Sequence, residues 1–433
     1  MLSCPSSLKT KRHFLILRTG EIMARIGIVG AGIIGCASAV HLIAEGHAVT
    51  VFEKDVDGLP ASVGNAGILA VPEIDPMARP EMLFAAPKWL IDPLGPLTLR
   101  WQDLAAFTPW LLHLLLAARP AQVERSRRAL LGLMREALAA HQAMTRLCGI
   151  SGHMKPTGAL TIFDSETALE AAFRHEQATA RLLGFAVERL DARAARGRVP
   201  ALEGAFAGGV FSSGYQTFPD PLKLLRDLQH HVRQQGTLVE AGVEAVQPST
   251  EGITIVADNG DRQAFDKVVI AAGVWSRTLV RKLGLKVLLE TERGYNTTFA
   301  DPPVTLEMPI FFAEHGFVAT PLANALRIGG AVELARPEAP PNYARAAAMR
   351  RKMRRYVPAL PESGGKEWMG RRPSTPDSVP VIGLHPSDPR IAMAFGHGHL
   401  GLTLSAITGA RIAALLSNRA GTDLEPFSIR RFQ

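Results

Sequence analysis

The spacing of apolar residues near the start of the chain predicts a strand, a turn, a helix and a second strand. The apolar run at residues 26–29 has the length of a buried strand, and it ends in the glycine-rich stretch at residues 30–35. Apolar residues at helical intervals follow, and the alternating run at residues 48–52 predicts the next strand. This succession is typical of parallel strands joined by a helical crossover, so we expect an α/β fold.

The same patterns predict the elements of the remaining chain. Helical periodicity covers residues 97–149, 166–183 and 403–416. Another helix is predicted from Pro221 to residue 235, with Asp220 as its N-cap, because proline is favoured at the first helical position. Strands are predicted at residues 160–163, 209–211, 237–243, 253–256, 267–272, 295–299, 317–320, 326–330 and 391–395.

The glycine-rich stretch has the spacing G-x-G-x-x-G between a strand and a helix. Gly30 permits the tight turn, Gly32 lets the backbone approach a pyrophosphate, and Gly35 lets the helix pack against the strand. Glu53 ends the second strand 18 residues after Gly35, where a carboxylate accepts hydrogen bonds from an adenosine ribose. We therefore predict an ADP-containing dinucleotide, either FAD or NAD; the alternative is a glycine-rich turn that holds no ligand.

Two further stretches combine glycine with small residues. Residues 60–67, here called the small-residue loop, contain Ser62 and Asn65 and show no helical or strand periodicity. Such a composition suits a backbone that lies against a flat ligand, and also an ordinary surface loop. Residues 396–401 follow a strand and precede a helix outside the G-x-G-x-x-G spacing, so a second helix N-terminus can face an anionic ligand atom.

Composition narrows the classes of function. The 433 residues carry a net charge of +8, with 47% hydrophobic and 20% charged residues, which fits a globular protein whose ligands are small acids or an anionic membrane surface. The densest basic cluster, residues 350–355, lies in a helical pattern without a base-stacking surface, so we expect no nucleic-acid partner. Cys4, Cys36 and Cys148 are far apart, which argues against a disulfide framework and a metal site.

Two segments bear on the location of the protein. Residues 1–22 place basic residues before an apolar run too short for a signal peptide, and we expect a disordered leader there. Residues 104–118 are apolar, but they are shorter than a membrane-spanning helix and are interrupted by a proline and a histidine. They fit a buried core helix or, because Trp101 and Trp110 flank the leucines, a helix on a membrane surface.

Taken together and in order, these motifs resemble those of the FAD-dependent D-amino-acid oxidase superfamily. The motifs that carry the resemblance are the glycine turn with Glu53, the small-residue loop, the strand end at residues 268–275, the stretch at residues 370–383 and the turn at residues 396–401. Within the superfamily the chain is similar to bacterial D-amino-acid dehydrogenases and to relatives that oxidise D-hydroxyproline, glycine or sarcosine. The resemblance covers the chain from residue 23 to its C-terminus.

The resemblance implies an α/β fold, α+β overall, in which a Rossmann-like FAD-binding domain carries an inserted substrate domain built on a mixed β-sheet with helices. The FAD-binding domain would comprise residues 23–95, 215–285 and 366–425, and the substrate domain residues 96–214 and 286–365. FAD would be bound noncovalently, because the cysteine and the histidine that attach it in similar flavoenzymes are missing. The implied FAD-binding positions are Gly30, Gly32, Ile33, Ile34, Gly35, Glu53, Lys54, Ser62, Asn65, Ala66, Gly67, Leu69, Val243, Ala272, Gly273, Trp275, Gly396, His397, Gly398, His399, Leu400, Gly401, Leu402 and Thr403.

The resemblance also implies three catalytic positions. Arg372 matches the arginine that similar enzymes place against the substrate carboxylate, although Arg371 could take that role and Arg372 could be a structural ion-pair partner. Tyr295 is a candidate for orienting the substrate, or else a packing residue. His399 is a candidate for tuning the flavin or the substrate amine, or else a turn residue.

The expected reaction is oxidation of a D-amino acid by hydride transfer from Cα to FAD, giving an imino acid and then a 2-oxo acid. Three alternatives are oxidation of a secondary amino acid such as D-hydroxyproline, D-proline or sarcosine, or of glycine; an NAD-dependent enzyme of the same fold; and a non-catalytic FAD-binding subunit of a complex. The electron acceptor would be oxygen or a quinone of the respiratory chain. We expect a cytoplasmic protein that contacts the inner face of the cell membrane peripherally and assembles as a homo-oligomer.

Overall fold

The structure is a computed structural model that describes residues 24–58, 60–81, 94–95, 97–150, 152–419 and 424–433; the predicted leader at residues 1–22 lies outside them. The strands in the described residues are β1 (Arg25–Val29), β2 (Ala48–Glu53), β3 (Ile68–Ala70), β4 (Leu97–Leu99), β5 (Ala159–Phe163), β6 (Val187–Asp191), β7 (Gly208–Ser212), β8 (Tyr215–Thr217), β9 (Thr237–Glu240), β10 (Val243–Pro248), β11 (Ile253–Ala257), β12 (Arg262–Phe265), β13 (Lys267–Ile270), β14 (Glu290–Ala300), β15 (Ile310–Phe312), β16 (Phe317–Leu322), β17 (Ala325–Leu334), β18 (Lys366–Ser374), β19 (Val381–His385) and β20 (Asp388–Phe395). The α-helices are α1 (Ile33–Ala44), α2 (Leu104–Ala117), α3 (Pro120–Cys148), α4 (Glu166–Leu183), α5 (Ala192–Arg198), α6 (Pro221–Gln235), α7 (Ser276–Lys282), α8 (Ala344–Met353) and α9 (Gly401–Leu416).

The first sheet has six strands in the order β19-β20-β13-β1-β2-β9. All neighbouring strands are parallel except β19, which runs antiparallel to β20. Ile28 of β1 lies opposite Val51 of β2 and Val269 of β13, so the central strands present apolar residues to both faces. Such apolar runs are expected of a parallel sheet that is covered on both sides.

Helices cover one face of this sheet, and a three-stranded antiparallel sheet covers the other. Ile26 and Ile28 belong to the hydrophobic cluster that includes α1, α6 and α9. Val29, which alternates with them, packs into the cluster formed with β11 and β12. A Cβ at Gly27 would lie only 2.6 Å from the side chain of Ile255, so the absence of a side chain there permits the close approach of the two sheets.

The second sheet has nine strands, of which eight follow the order β18-β14-β17-β16-β15-β5-β7-β6 while β4 pairs with β17. It is mixed, as the resemblance implied, since β15 runs parallel to β5 and the pairs β14–β17 and β14–β18 are antiparallel. By its pairing, β18 belongs to this second sheet, although the prediction assigned residues 366–425, and therefore β18, to the FAD-binding domain. The other domain boundaries stay a prediction.

Two predicted elements differ from the structure for local reasons. Residues 97–149 are not all helical, because residues 97–99 pair with β17 and the extended backbone of Arg119, which precedes Pro120, separates α2 from α3. The strand predicted at residues 237–243 ends at residue 240, and just beyond it the N–H of Gly242 donates to Oδ1 of Asp258 while the Gly242 carbonyl oxygen accepts from the N–H of Asp258. By length and composition one described helical stretch, Gly398–Leu416, could cross a membrane, or two if Trp101–Ala117 and Pro120–Cys148, bent by 92°, are counted as one span. Of the apolar window in Gly398–Leu416, 67% is buried inside the protein, and a core helix passes the same test.

Candidate active site

The turn between β1 and α1 has no room for side chains at two of its glycines. Gly30 has a φ angle of +102°, and a Cβ there would lie 2.6 Å from the carbonyl oxygen of Ala271. A Cβ at Gly35 would collide with the carbonyl oxygen of Gly30. At Gly32, by contrast, the nearest atom to a Cβ would be Ser62 Oγ at 3.5 Å. The turn is therefore compact behind Gly30 and Gly35 and open to a ligand at Gly32.

Two of the polar side chains predicted from the sequence bind this turn. The N–H of Ala31 donates to Oε2 of Glu53 at 2.7 Å. The N–H of Ile33, in the first turn of α1, donates to Oγ of Ser62 at 3.0 Å. The N-cap residue Gly32 contributes no side chain, so the positive end of the helix dipole faces outward. A pyrophosphate is the kind of ligand that such a helix N-terminus binds.

The small-residue loop is held from the second sheet through three consecutive carbonyl oxygens. Nη1 of Arg327 donates to the carbonyl oxygens of Val63 and Asn65, at 3.2 and 2.5 Å. Nδ2 of Asn296 donates to the carbonyl oxygen of Gly64 at 2.8 Å. The loop therefore lies between the two sheets, and its conformation depends on residues more than 200 positions away.

The turn at residues 396–401 provides a second open helix N-terminus. Gly396 and Gly398 have φ angles of +82° and +52°, which a residue with a side chain adopts only under strain. The turn leads into α9, and its N-cap residue Leu400 makes no side-chain hydrogen bond to the helix. A Cβ at Gly409 of α9 would lie 2.5 Å from the backbone of Ala37, so α9 packs tightly against α1.

The neighbouring arginines of β18 point to opposite faces of the second sheet. Nε of Arg371 donates to the carbonyl oxygen of Pro337 at 2.7 Å. The guanidinium of Arg372 lies over Gly294, where a Cβ would collide with it, and its charge acts on His399. Among the residues that the structure describes, none forms a hydrogen bond or an ion pair with Arg372. Arg372, rather than Arg371, is thus the arginine that is free to bind a ligand.

Tyr295 lies on the face away from Arg372. Its hydroxyl donates to Oε2 of Glu333 at 2.5 Å and accepts from the N–H of Asn342 at 3.0 Å, and its ring is buried in the cluster that includes α8. Side chains alternate along a strand, so Tyr295 and Gly294 face opposite sides of β14. The prediction that Tyr295 orients the substrate is therefore wrong, and its alternative as a packing residue agrees with the structure.

A small cavity lies between the turn at residues 396–401 and the second sheet. Burial lowers the pKa of His397 to about 3, and its Nε2 lies 3.0 Å from Oγ1 of Thr408. Burial, together with the charge of Arg372, lowers the pKa of His399 to about 4. Both imidazoles are therefore neutral at physiological pH. The cavity is lined by Met77, Glu292, Ser374, Thr375, Ser378, Gly396, His397, Gly398, His399 and Leu400.

Comparison with known sequences places this arrangement in a family. A sequence profile described as FAD dependent oxidoreductase matches residues 25–415, which is most of the chain. The chain belongs to this family of FAD-dependent oxidoreductases. The resemblance stated from the motifs is thereby confirmed, and so is FAD as the cofactor, whereas the NAD alternative is not supported.

Relatives and solved structures agree with this assignment. A D-amino-acid oxidase of Bradyrhizobium diazoefficiens is 34% identical over 416 residues, which cover 94% of this chain and 98% of the relative. A D-amino acid dehydrogenase of Sinorhizobium medicae is 31% identical over 409 residues, covering 91% and 96%. The glycine oxidase of Geobacillus kaustophilus has a TM-score of 0.73 at 24% identity, covering 94% of this chain and 99% of its own. The L-proline dehydrogenase of P. horikoshii has a TM-score of 0.69 at 17% identity, covering 95% and 98%. At these identities the solved structures show the fold alone.

The open turn at Gly32 and the two helix N-termini whose N-cap residues, Gly32 and Leu400, make no side-chain hydrogen bond fit FAD. The diphosphate would lie at the N-terminus of α1, with Glu53 and Lys54 at the adenosine end. Gly242 lies beside the side chain of Lys54, so Val243, which follows it at the start of β10, also lies near the predicted adenosine end. Ala272, next to Gly30, and Gly273 also lie at the carboxyl edge of the first sheet. The predicted FAD-binding positions thus follow one path, from β2 past the first turn toward the second turn.

Several of the predicted FAD-binding positions have side chains that are engaged within the protein or exposed to solvent. The side chains of Leu69, Leu400 and Leu402 lie in the main hydrophobic cluster. Oγ1 of Thr403 is occupied by the N–H of Ala70 at 3.0 Å, and the side chain of Asn65 is used within the small-residue loop, where it binds Ser62 and Gly67. Trp275 is 58% exposed. Their roles as FAD-binding residues stay predictions.

Three residues at the site were not predicted from the sequence: Glu292, Asn296 and Arg327. Glu292 and Asn296 share one face of β14 with Gly294, since they occur at every second position. Polar residues occupy both faces of this strand in the sequence, so the alternation did not single out these two positions. Arg327 had no sequence signal either, because its loop partners precede it by more than 250 residues.

Proposed function

We propose that this protein oxidises a D-amino acid at its Cα–N bond, giving an imino acid that water hydrolyses to a 2-oxo acid and ammonia. The observation that carries the proposal is Arg372, a half-buried guanidinium that forms no hydrogen bond or ion pair with any described residue and whose charge acts on Glu292 and His399, two residues that line the cavity. A guanidinium binds a carboxylate through two parallel hydrogen bonds. The names of the relatives, D-amino-acid oxidase and D-amino acid dehydrogenase, support the D configuration.

Each group at the site has a defined role in such a reaction. FAD, when bound, supplies the hydride acceptor. Arg372 holds the substrate carboxylate and so fixes the orientation of Cα. The N-terminus of α9 and the backbone at Gly396 and Gly398 present positive potential where negative charge develops. His399 borders the pocket as a neutral imidazole, so it can exchange a hydrogen bond with the substrate without repelling a positively charged amine.

An anaerobic reduction screen of the purified holoprotein tests the proposal. The visible flavin absorbance is followed while D-amino acids, their L enantiomers, D-proline, cis-4-hydroxy-D-proline, glycine and sarcosine are added one at a time. We expect bleaching with one or more primary D-amino acids and none with their L enantiomers. Faster bleaching by a secondary amine or glycine would favour the alternative substrate class. The absence of bleaching by every compound would contradict the proposal and favour a non-catalytic FAD-binding subunit.

We also propose that α2 contacts an anionic membrane surface, which would place the protein peripherally on the inner face of the cell membrane. The side chains of Trp101, Leu112 and Leu115 are 67%, 55% and 51% exposed, and Arg100 and Arg119 flank the uncharged helix. An exposed apolar face between cationic ends is typical of helices that lie in the membrane interface.

Co-sedimentation with vesicles tests this contact. We expect the protein to pellet with vesicles that contain phosphatidylglycerol, and Leu112→Gln/Leu115→Gln to weaken pelleting at least tenfold. Equal pelleting of both proteins would refute the contact. A dimer in solution that the same double substitution dissociates would show instead that α2 joins two copies of the chain. Whether oxygen or a quinone takes the electrons is decided separately, by reoxidation of the reduced holoprotein with each.

A further inference from the structure

A buried carboxylate of the cavity lining lies beside Arg372. Glu292 of β14 is the direct cross-strand neighbour of Arg372 of β18, so both side chains project from the same face of the second sheet. Glu292 is only 1% exposed and lines the cavity together with Ser374 and His399. Its Oε1 is buried and has no hydrogen-bond partner. An acceptor left in this state is costly unless a ligand supplies the donor.

The two charged side chains do not pair with each other. No Arg372 nitrogen lies within 4.0 Å of a Glu292 oxygen in the described structure, although directly opposed residues are close enough for an ion pair. The reason is the direction of the arginine, whose guanidinium leans along the strand over Gly294 instead of across to Glu292. A cation and an anion are thus held side by side with a gap between them.

We propose that Glu292 and Arg372 form a clamp for the zwitterionic head group of an α-amino acid, in which Arg372 binds the carboxylate and Glu292 binds the ammonium group. This inference rests on the proposed function and specifies how that site recognises its substrate. The carboxylate and the ammonium of an α-amino acid are attached to one carbon, which suits two groups on directly opposed residues, about 4.5–5.5 Å apart at Cα or Cβ. An amine at the far end of a side chain would lie too far from the carboxylate to reach both.

The clamp also explains how the substrate loses a proton before hydride transfer. The ammonium N–H bond breaks, an O–H bond forms on the Glu292 carboxylate, and the substrate is left with a neutral amine whose lone pair assists loss of hydride from Cα. Burial raises the pKa of Glu292 to about 7, against the opposing effects of Arg372 and Ser374. His397 and His399 stay neutral across this range, so the protonation state of the pocket is set by Glu292.

Binding of two non-reactive probes to the holoprotein tests the clamp. 2-Aminoisobutyrate is an α-amino acid without a Cα hydrogen, and pivalate has a methyl group in place of its amine, so neither can be oxidised. The dissociation constant of each is read from the change in the flavin absorption spectrum. We expect wild type to bind 2-aminoisobutyrate at least tenfold more tightly than pivalate. Glu292→Gln should weaken 2-aminoisobutyrate at least tenfold and leave pivalate unchanged or tighter. Glu338→Gln, which removes an exposed charge, should change neither.

The two proposals fail in different ways. If Glu292→Gln weakens both probes equally, or neither, or if wild type binds neither probe, the clamp is refuted, even when D-amino acids still bleach the flavin. If no amino acid bleaches the flavin, the proposed function itself is refuted.

Wild-type protein provides a second test should Glu292→Gln not fold. As the pH falls through about 7, Glu292 becomes neutral, so 2-aminoisobutyrate should bind more weakly and pivalate more tightly. Parallel pH profiles for the two probes would overturn the proposal.

Discussion

Replacing Arg327 by methionine tests whether the second sheet holds in place the small-residue loop, which is predicted to bind FAD. Arg327 lies on β17, and its Nη1 donates to the carbonyl oxygens of Val63 and Asn65, at 3.2 and 2.5 Å. Its Nε donates to Oγ1 of Thr298 at 3.0 Å. Methionine is unbranched and of similar length, so it fills much of the same space but donates no hydrogen bond. The substitution therefore removes the polar contacts and keeps most of the packing.

The size of the effect follows from the charge of the donor. Burial lowers the pKa of Arg327 to about 10, so the guanidinium remains charged at neutral pH and its hydrogen bonds are charge-assisted. Such hydrogen bonds contribute about 1.5–3 kcal/mol each. The loop is only partly buried, and water can replace some of the lost donors. We therefore expect a loss of about 2–3 kcal/mol in FAD binding, which raises the dissociation constant roughly 30- to 150-fold.

Titration of the apoprotein with FAD, followed by quenching of the flavin fluorescence, measures this effect. Arg371→Met is the matched control, because Arg371 belongs to the same sheet and also donates to a backbone carbonyl, but on the opposite face. We expect the control to lose stability toward urea while its FAD dissociation constant stays within about twofold of wild type. Arg327 does not hold the loop for FAD if Arg327→Met binds FAD as tightly as wild type, or if both variants lose the same affinity.

Three further predictions follow from single contacts. Gly35→Ala should lower the free energy of unfolding by about 3 kcal/mol and abolish FAD binding, because the new Cβ would collide with the Gly30 carbonyl oxygen. Its control is Gly132→Ala in α3, where a Cβ would meet open space, so this substitution should be neutral or slightly stabilising. Urea unfolding and the flavin content of the purified protein are measured for both variants. Arg372→Ala should raise KM for the D-amino acid at least tenfold, as expected for a contact worth about 1.5–3 kcal/mol, and an unchanged KM would remove Arg372 from substrate binding. Burial raises the pKa of Glu176 to about 7, above its unfolded value, so its favourable contribution is complete below pH 4.5 and is lost as the pH rises to 7. Glu176→Gln should therefore gain about 2 kcal/mol of stability relative to wild type between pH 5 and pH 8 in urea unfolding, and a pH-independent difference would contradict this assignment.

The first glycine turn and its partners were predictable from the sequence because their chemistry is local. The positive φ angle of Gly30 and the tight packing at Gly35 follow from the strand, turn and helix that residues 25–44 form. Glu53 ends the adjacent parallel strand, so the fixed geometry of the β1–α1–β2 unit brings its carboxylate to the turn. In the same way Asp220 and Pro221 predict the start of α6, where the Asp220 side chain accepts a hydrogen bond from the N–H of Lys223.

The orientation of side chains in the second sheet was not predictable in this way. Adjacent residues of a strand face opposite sides of the sheet, so the choice between Arg371 and Arg372 depends on which face of the second sheet lies toward the small-residue loop and the turn at residues 396–401. The same uncertainty led to the wrong role for Tyr295, which the alternation directs toward α8. The pairing of Glu292 with Arg372 joins strands about 80 residues apart, and only the register of β14 and β18 reveals it.

The packing of β18 connects the small-residue loop, which is predicted to bind FAD, to the arginine that is proposed to bind the substrate. A Cβ at Gly64, in the small-residue loop, would collide with the ring of Trp368, and a Cβ at Gly370 would collide with it as well. Trp368 lies four residues before Arg372 on the same strand and on the same face. Because the loop is also bound through the Gly64 carbonyl oxygen to Asn296 of the adjacent strand, it cannot shift without moving the face that carries Arg372 and Glu292. The second sheet therefore connects the small-residue loop, which is predicted to bind FAD, with the two proposed substrate contacts.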